Sequence, residues 1–202
     1  MTGENKYPII TISRQYGAGG HSVARGISER LGLEYYDFDF VRMTAKNSGY
    51  SEEEIRQVGE EMSSGSWFVN AFINPSSLST SAHDEVYKAE REVILDLGKK
   101  GSCIIVGRCA NAVLRDFGIP TFDIFLYADL ETRIKRAKEL GENGRMSVER
   151  FVEHRDHYRN TYYKNYTGHE LGDYRDYNIC IDTGTIGIDR SVDIICDILE
   201  KK

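Results

Sequence analysis

The sequence lacks any apolar run of membrane-spanning length, so no segment is expected to cross a bilayer. Met1 to Tyr7 is polar and carries no signal-peptide core, which argues against export and for a cytoplasmic protein. The four cysteines, Cys103, Cys109, Cys180 and Cys196, contain no CxxC spacing and read as reduced thiols, not as a disulfide frame or a zinc site. There is no basic excess: a net charge of −6 argues against a general binder of nucleic-acid polymers, which needs a broad positive face. None of the five histidines falls in a metal spacing such as H-E-x-x-H, and no Ser–His–Asp or Cys–His order stands out. Cys109, beside Arg108, is a weak nucleophile candidate. No Pro/Gly linker divides the 202 residues, and no internal repeat is present.

What is present is an ordinary globular balance, 40% hydrophobic and 29% charged, with enough apolar material for a sizeable core. Pro8–Ser13 is a short β-branched run that fits a buried parallel strand. It ends in Gly17-Ala18-Gly19-Gly20, after which Val23, Ala24, Ile27 and Leu31 recur at helical spacing, with Gly32 as C-cap. Further strands are expected at 33–37, Cys103–Val106, Phe122–Leu126 and Asn178–Ile181. Helices are expected from Glu85 to Lys99, from an Asp129 N-cap to about Leu140, from a Ser147 cap to about Tyr163, and from Ile188 to Leu199. Ser51-Glu-Glu-Glu54 reads as a capping box opening a helix to about Met62, and 74–81 as a loop. The alternation implies an α/β domain with a parallel sheet. Residues 38–100 are too long for one crossover and read as a helical insert within a single domain spanning 1–202.

A strand, glycines and a helix in that order make an anion site, because backbone N–H groups and the helix dipole both point at the ligand. The phosphate-loop pattern is G-x-x-x-x-G-K-[ST]. With Gly19 as its second glycine, Arg14 stands at the first, Gly20 at the lysine and His21 at the hydroxyl, with Ser22 one place late. Two other readings stay open: a glycine turn that merely starts a helix, and a dinucleotide fingerprint in which Gly17 and Gly19 precede a ribose-binding Asp37.

Arginines fall where phosphoryl transfer would use them, since that chemistry is mostly positioning and charge stabilisation. Arg108 follows a strand directly, behind Gly107. Arg133 and Arg136 share one helix face ahead of the glycine break at 141–144, with Arg145 beyond it, as in a short arginine-bearing lid at about 137–150. Arg155, Asp156 and Arg159 share another face. A solvated basic face and a structural ion-pair ladder are the plainer accounts of these two sets. The tyrosines at 158, 162, 163 and 166 read as packing or as an interface, and the Tyr-rich stretch 158–177 points to a homodimer.

Together these segments resemble the cytidylate-kinase-like family. Ile12-Ser-Arg-Gln-Tyr-Gly-Ala-Gly-Gly20 resembles its variant phosphate loop, Ile104-Ile-Val-Gly-Arg108 its I-x-D-G-R segment, and Phe125 to Arg136 its F-L-x-A-x-x-x-x-R-x-x-R stretch. Arg155-Asp156-x-x-Arg159 is similar to its R-D-x-x-R, Cys180-Ile-Asp-Thr183 to its last strand, and Asp37 with Arg42 to its acceptor-phosphate segment. The resemblance implies a P-loop kinase fold, a three-layer α/β/α sandwich on a five-stranded parallel sheet, with an acceptor-binding insert and a lid. It implies transfer of the ATP γ-phosphoryl to a nucleoside monophosphate with Mg²⁺. Gly17, Ala18, Gly19, Gly20, His21 and Ser22 would then hold the donor phosphates, with Ser22 on the metal. Arg42, Arg108 and Arg159 would hold the acceptor phosphate, Arg155 and Asp156 would serve the acceptor, with Asp156 reading the base, and Arg133 and Arg136 would close over the donor. The chain departs from the pattern at Gly20 for lysine, Val106 for aspartate, Ala137 for arginine and Val152 for arginine. Arg14 at the loop mouth is expected to supply the lost charge. The alternatives are a nucleotide-binding regulator without phosphotransfer and a dinucleotide-dependent oxidoreductase.

Overall fold

The computed structural model describes residues 7–37, 80–141 and 143–201. Arg42, the capping box at 51–54 and the loop at 74–79 lie outside them. In chain order the elements are β1 (Ile9–Arg14), α1 (Gly20–Leu31), β2 (Tyr35–Asp37), α2 (Thr80–Lys100), β3 (Ile104–Val106), α3 (Ala110–Asp116), β4 (Thr121–Tyr127), α4 (Leu130–Leu140), α5 (Val148–Thr167), a 3₁₀ turn (Tyr174–Asp176), β5 (Ile179–Asp182), α6 (Thr183–Ile186) and α7 (Ile188–Glu200).

The five strands pair in parallel in the order β2-β3-β1-β4-β5. Both faces of the sheet are covered, and the period-two pleat sorts the side chains between them. Ile10 and Ile12 of β1, Ile104 and Val106 of β3, and Phe122, Ile124 and Leu126 of β4 face α1 and α7. Ile9 and Ile105 face the opposite way, toward α2 and α3. Of the stripe expected on α1, Val23, Ala24 and Ile27 are wholly buried and Leu31 is half-buried. The stripe packs against Val192, Ile195, Cys196 and Leu199 of α7. Gly26 lets the two helices close up, since a Cβ there would lie 2.7 Å from Val192 Cγ2. Fully burying each Val or Ile of this stripe contributes about 1.5–3 kcal/mol.

The expected caps form. Gly32 ends α1 in the left-handed region at φ 68, the Asp129 carboxylate accepts from the Thr132 N–H, and the Ser147 hydroxyl accepts from the Arg150 N–H. Strand order decides against the dinucleotide reading. That fold sets β2 beside β1 in a 3-2-1-4-5-6 sheet, whereas here β3 lies between them.

Candidate active site

The loop Gln15–Gly19 turns from β1 into α1, and two glycines carry its bend, Gly17 at φ 78 and Gly19 at φ 81. Both are also tight: a Cβ on Gly17 would lie 2.6 Å from the Arg133 carbonyl oxygen, and one on Gly19 would overlap Ile188. The N-terminus of α1 has no side-chain cap and no acidic residue in its first turn. Its partial positive charge is therefore left for whatever occupies the space ahead of it. That space is a cavity of about 420 Å³ lined by the loop glycines with His21 and Ser22, by Asp37, and by Arg14, Arg136 and Arg159. A recess of about 40 Å³ adjoins it, lined by Arg108, Arg155, Tyr158 and Tyr162 and sharing Arg14 and Arg159 with the larger cavity. The parallel sheet brings its carboxyl ends here: Arg14 ends β1, Asp37 ends β2 and Arg108 follows β3.

The arginines are held by different means. Arg136 donates through Nη1 to the Gly17 carbonyl (3.3 Å) and the Thr183 hydroxyl (3.0 Å), and through Nη2 to the Thr183 carbonyl (2.9 Å). Arg159 donates to the Arg14 carbonyl (3.4 Å), and the guanidinium carbons of Arg155 and Arg159 lie 5.6 and 5.4 Å from the Tyr16 ring centroid. Arg108 lies 5.3 Å over the Tyr162 ring and pairs with Glu90 at 3.3 Å. The Tyr162 hydroxyl donates to the same carboxylate at 2.5 Å. Burial, with the Glu90 charge beside it, pushes the Tyr162 hydroxyl far above the usual tyrosine range and keeps it a donor. The backbone around Arg108 is strained. Gly107, Arg108 and Cys109 follow one another at φ 84, 56 and 55, a left-handed run that the two non-glycine residues rarely adopt.

Several expected roles change. Arg133, expected over the donor, is buried beneath the loop. It donates to the carbonyls of Ala128 (3.0 Å) and Tyr16 (3.3 Å) and pairs with Asp156. Asp156, expected to read a base, spends its other oxygen on the Tyr16 N–H at 2.7 Å. The two residues bolt α4 and α5 to the phosphate loop. Their spacing on each helix signals a shared face, but not whether that face meets ligand or protein. Ala18 is fully buried in the core, so it meets the site only through its backbone. Cys109 is buried, and that burial pushes its thiol up to about 12, which removes it as a nucleophile. Arg145, beyond the glycine break, is exposed. Within the Tyr-rich stretch, Tyr162 and Tyr166 pack with Tyr87, and Tyr177 against Phe125. Much of that aromatic character thus serves packing within one chain, with Tyr158 and Tyr174 exposed.

Sequence reasoning missed Glu90, Tyr16 and Thr183. Glu90 had a signal: Tyr87, Glu90, Ile94 and Leu97 follow helical core spacing, and an acid on such a stripe must have a partner. Thr183 ties the last strand to the loop through its hydroxyl, which donates to the Ala18 carbonyl at 2.8 Å. Its sequence signal was its place in the Cys180–Thr183 segment matched to the family's last strand, which gave it no role.

Among the described residues no three His, Cys, Asp or Glu side chains form a metal cluster. Magnesium at a phosphate site takes one or two protein oxygens and fills the rest of its shell from phosphates and water. Ser22 and Asp37 both line the larger cavity and supply hard oxygen donors of that kind, the Asp37 carboxylate also meeting Arg14 Nη2 at 3.5 Å and His21 Nδ1 at 3.3 Å. The expected aspartate on β3 is Val106, but Asp37 is its partner in the β2–β3 register, so a carboxylate stands at the same level one strand over. The residues fit the ion.

Comparison with known proteins agrees with the geometry. The sequence model of the cytidylate kinase-like family matches residues 9–185. A cytidylate kinase from Thermoplasma volcanium is 26% identical over 181 residues, covering 86% of this chain and 82% of that protein. A protein of Eubacterium ventriosum described as uncharacterized superposes with a TM-score of 0.62 at 24% identity, covering 96% of this chain and 99% of the other. The shikimate kinase of Acinetobacter baumannii, solved in complex with shikimate, superposes with a TM-score of 0.55 at 14% identity, covering 96% and 94%. These likenesses bear on the fold, a P-loop kinase sandwich. No described helix is long and apolar enough to cross a membrane.

Proposed function

The chain belongs to the cytidylate kinase-like family, and from that premise we propose that it is a nucleoside-monophosphate kinase, transferring the γ-phosphoryl of ATP to the phosphate of a small acceptor such as CMP. One observation carries the reading: an uncapped helix N-terminus and the side chains of Arg14, Arg136 and Arg159 line a single cavity that continues into an arginine-walled recess. Such a concentration of fixed positive charge suits a polyphosphate beside a second phosphate.

In this reading Gly17–Ser22 cradle the donor phosphates through backbone N–H groups. Arg136, braced on Gly17 and Thr183, covers the donor from the α4 side. Arg108, Arg155 and Arg159 hold the acceptor phosphate in the recess, with Arg42 assigned to the same task by the family resemblance. Arg14 and Arg159 line both spaces, so they lie where charge builds up between donor and acceptor oxygens. Asp37 and Ser22 would hold Mg²⁺, which would neutralise charge on the donor phosphates when bound. The family resemblance assigns a lid to about 137–150, which would close over the donor beside the already braced Arg136. Tyr16 gives the arginines a flat apolar wall, which keeps their planes fixed while substrate exchanges.

The test is purified protein with ATP, Mg²⁺ and a panel of nucleoside monophosphates. Formation of ADP that depends on one acceptor is the expected result. ATP binding with no turnover on any acceptor would reject the kinase in favour of a nucleotide-binding regulator, the reading that a glycine at the lysine position favours.

A further inference from the structure

We infer that Arg14 takes the place of the phosphate-loop lysine, and that Gly20 and Gly107 are small because they seat its side chain. The inference rests on the kinase reading above and deepens it. Laid on the loop pattern, the chain has an arginine where the first glycine belongs and a glycine where the lysine belongs. In the folded protein these two exchanges meet. A Cβ on Gly20 would lie 2.9 Å from Arg14 Cγ, 3.1 Å from Cδ and 3.3 Å from Nε, so the arginine stem runs across the face of that glycine. A Cβ on Gly107 would overlap Arg14 Nη1.

Gly20 is not held at positive φ, so its backbone does not demand glycine; the room taken by Arg14 does. The third support is a carboxylate. Arg14 Nη2 lies 3.5 Å from Asp37 Oδ1, a pair in which both side chains are almost wholly buried. The cation has moved from α1 to the end of β1, and the acid from β3 to the end of β2. The two departures from the loop pattern are one compensated change.

The exchange alters the chemistry available. A lysine offers a point charge on a flexible stem, whereas a guanidinium presents a planar fork that can engage two phosphate oxygens at once. Arg14 lines both the donor cavity and the acceptor recess, so that fork lies where the transferring group passes. A purely structural Arg14 would also seat against Gly20; what sets it apart is that Arg14 lines both the larger cavity and the recess.

The test is an exchange of the two positions, read by calorimetric titration of ATP and by thermal melting of each variant. Arg14→Ala is expected to weaken ATP binding about tenfold or more, the loss that follows removal of a charge-assisted hydrogen bond. Gly20→Lys alone is also expected to weaken it, because the new side chain collides with Arg14. The double variant Arg14→Gly with Gly20→Lys, which restores the usual pattern, is expected to bind within about threefold of the unaltered chain, since contacting sites are non-additive. Gly20→Lys binding ATP as well as the unaltered chain, or the double variant binding no better than Arg14→Ala, overturns the inference. If Gly20→Lys does not fold, Gly20→Ala reports the same contact: it should lower affinity beside Arg14 and be silent beside Ala at position 14, and equal effects in both backgrounds overturn the inference. Failure of the unaltered chain to bind ATP at all would sink the kinase reading itself, whereas the other results sink only the role of Arg14.

Discussion

Replacing Asp156 separates two accounts of its helix. If the residue reads the acceptor base, its loss raises the acceptor KM and leaves the protein as stable as before. The geometry says otherwise. Asp156 accepts the Tyr16 N–H at 2.7 Å and pairs with Arg133, whose side chain is only 9% exposed. Asp156→Ala would leave a buried guanidinium without its carboxylate and free the middle of the phosphate loop. Removing one partner of a fully buried pair costs about 3–5 kcal/mol. The Asp156 side chain is 26% exposed, so water recovers part of that. We expect a loss of about 2–4 kcal/mol, which for a chain of this size lowers Tm by roughly 5–15 °C. Urea unfolding of the two proteins measures it, and ATP affinity should fall with no acceptor present, because the loop loses its anchor. Asp156→Asn should fall between, keeping an acceptor for the Tyr16 N–H while losing the charge opposite Arg133. A variant with stability unchanged to within about 0.5 kcal/mol and only the acceptor KM raised would refute the bolt.

Other consequences follow from the same contacts. Gly17→Ala places a Cβ against the Arg133 carbonyl at a left-handed φ, and should cost about 2 kcal/mol or more in urea unfolding while weakening ATP binding. Tyr162→Phe removes the donor to a carboxylate that is 1% exposed; we expect a loss of about 1–3 kcal/mol and a raised acceptor KM with little change in ATP affinity, read by chemical unfolding and steady-state kinetics. Native titration with a thiol reagent at pH 8 should modify the exposed Cys180 first, and Cys103, Cys109 and Cys196 only on unfolding. Burial holds Cys103 and Cys196 up to about 11 and Cys109 up to about 12, so the thiolate forms only at higher pH.

Much of this protein was legible in the chain alone. Short β-branched runs fitted buried strands, and α1 showed its stripe and its Gly32 stop in the letters. Those signals are local: propensity, capping and period depend on neighbours a few residues away. The convergence of arginines on a glycine loop could also be anticipated, because parallel strands deliver their carboxyl ends to one edge. What each arginine does was not local. Arg133 and Arg136 stand on one helix three residues apart, yet one is buried under the loop and the other lines the cavity. A turn of helix sets them apart, and only the packing of α4 against the loop decides which meets protein. Glu90, Tyr162 and Arg108 come from three separate segments, and no spacing joins them. The exchange of Arg14 for a lysine was visible as two oddities in the loop. That Arg14 lies across the empty face of Gly20 depends on how β1 and α1 meet in space, and on a carboxylate brought alongside by the pairing of β2 with β3.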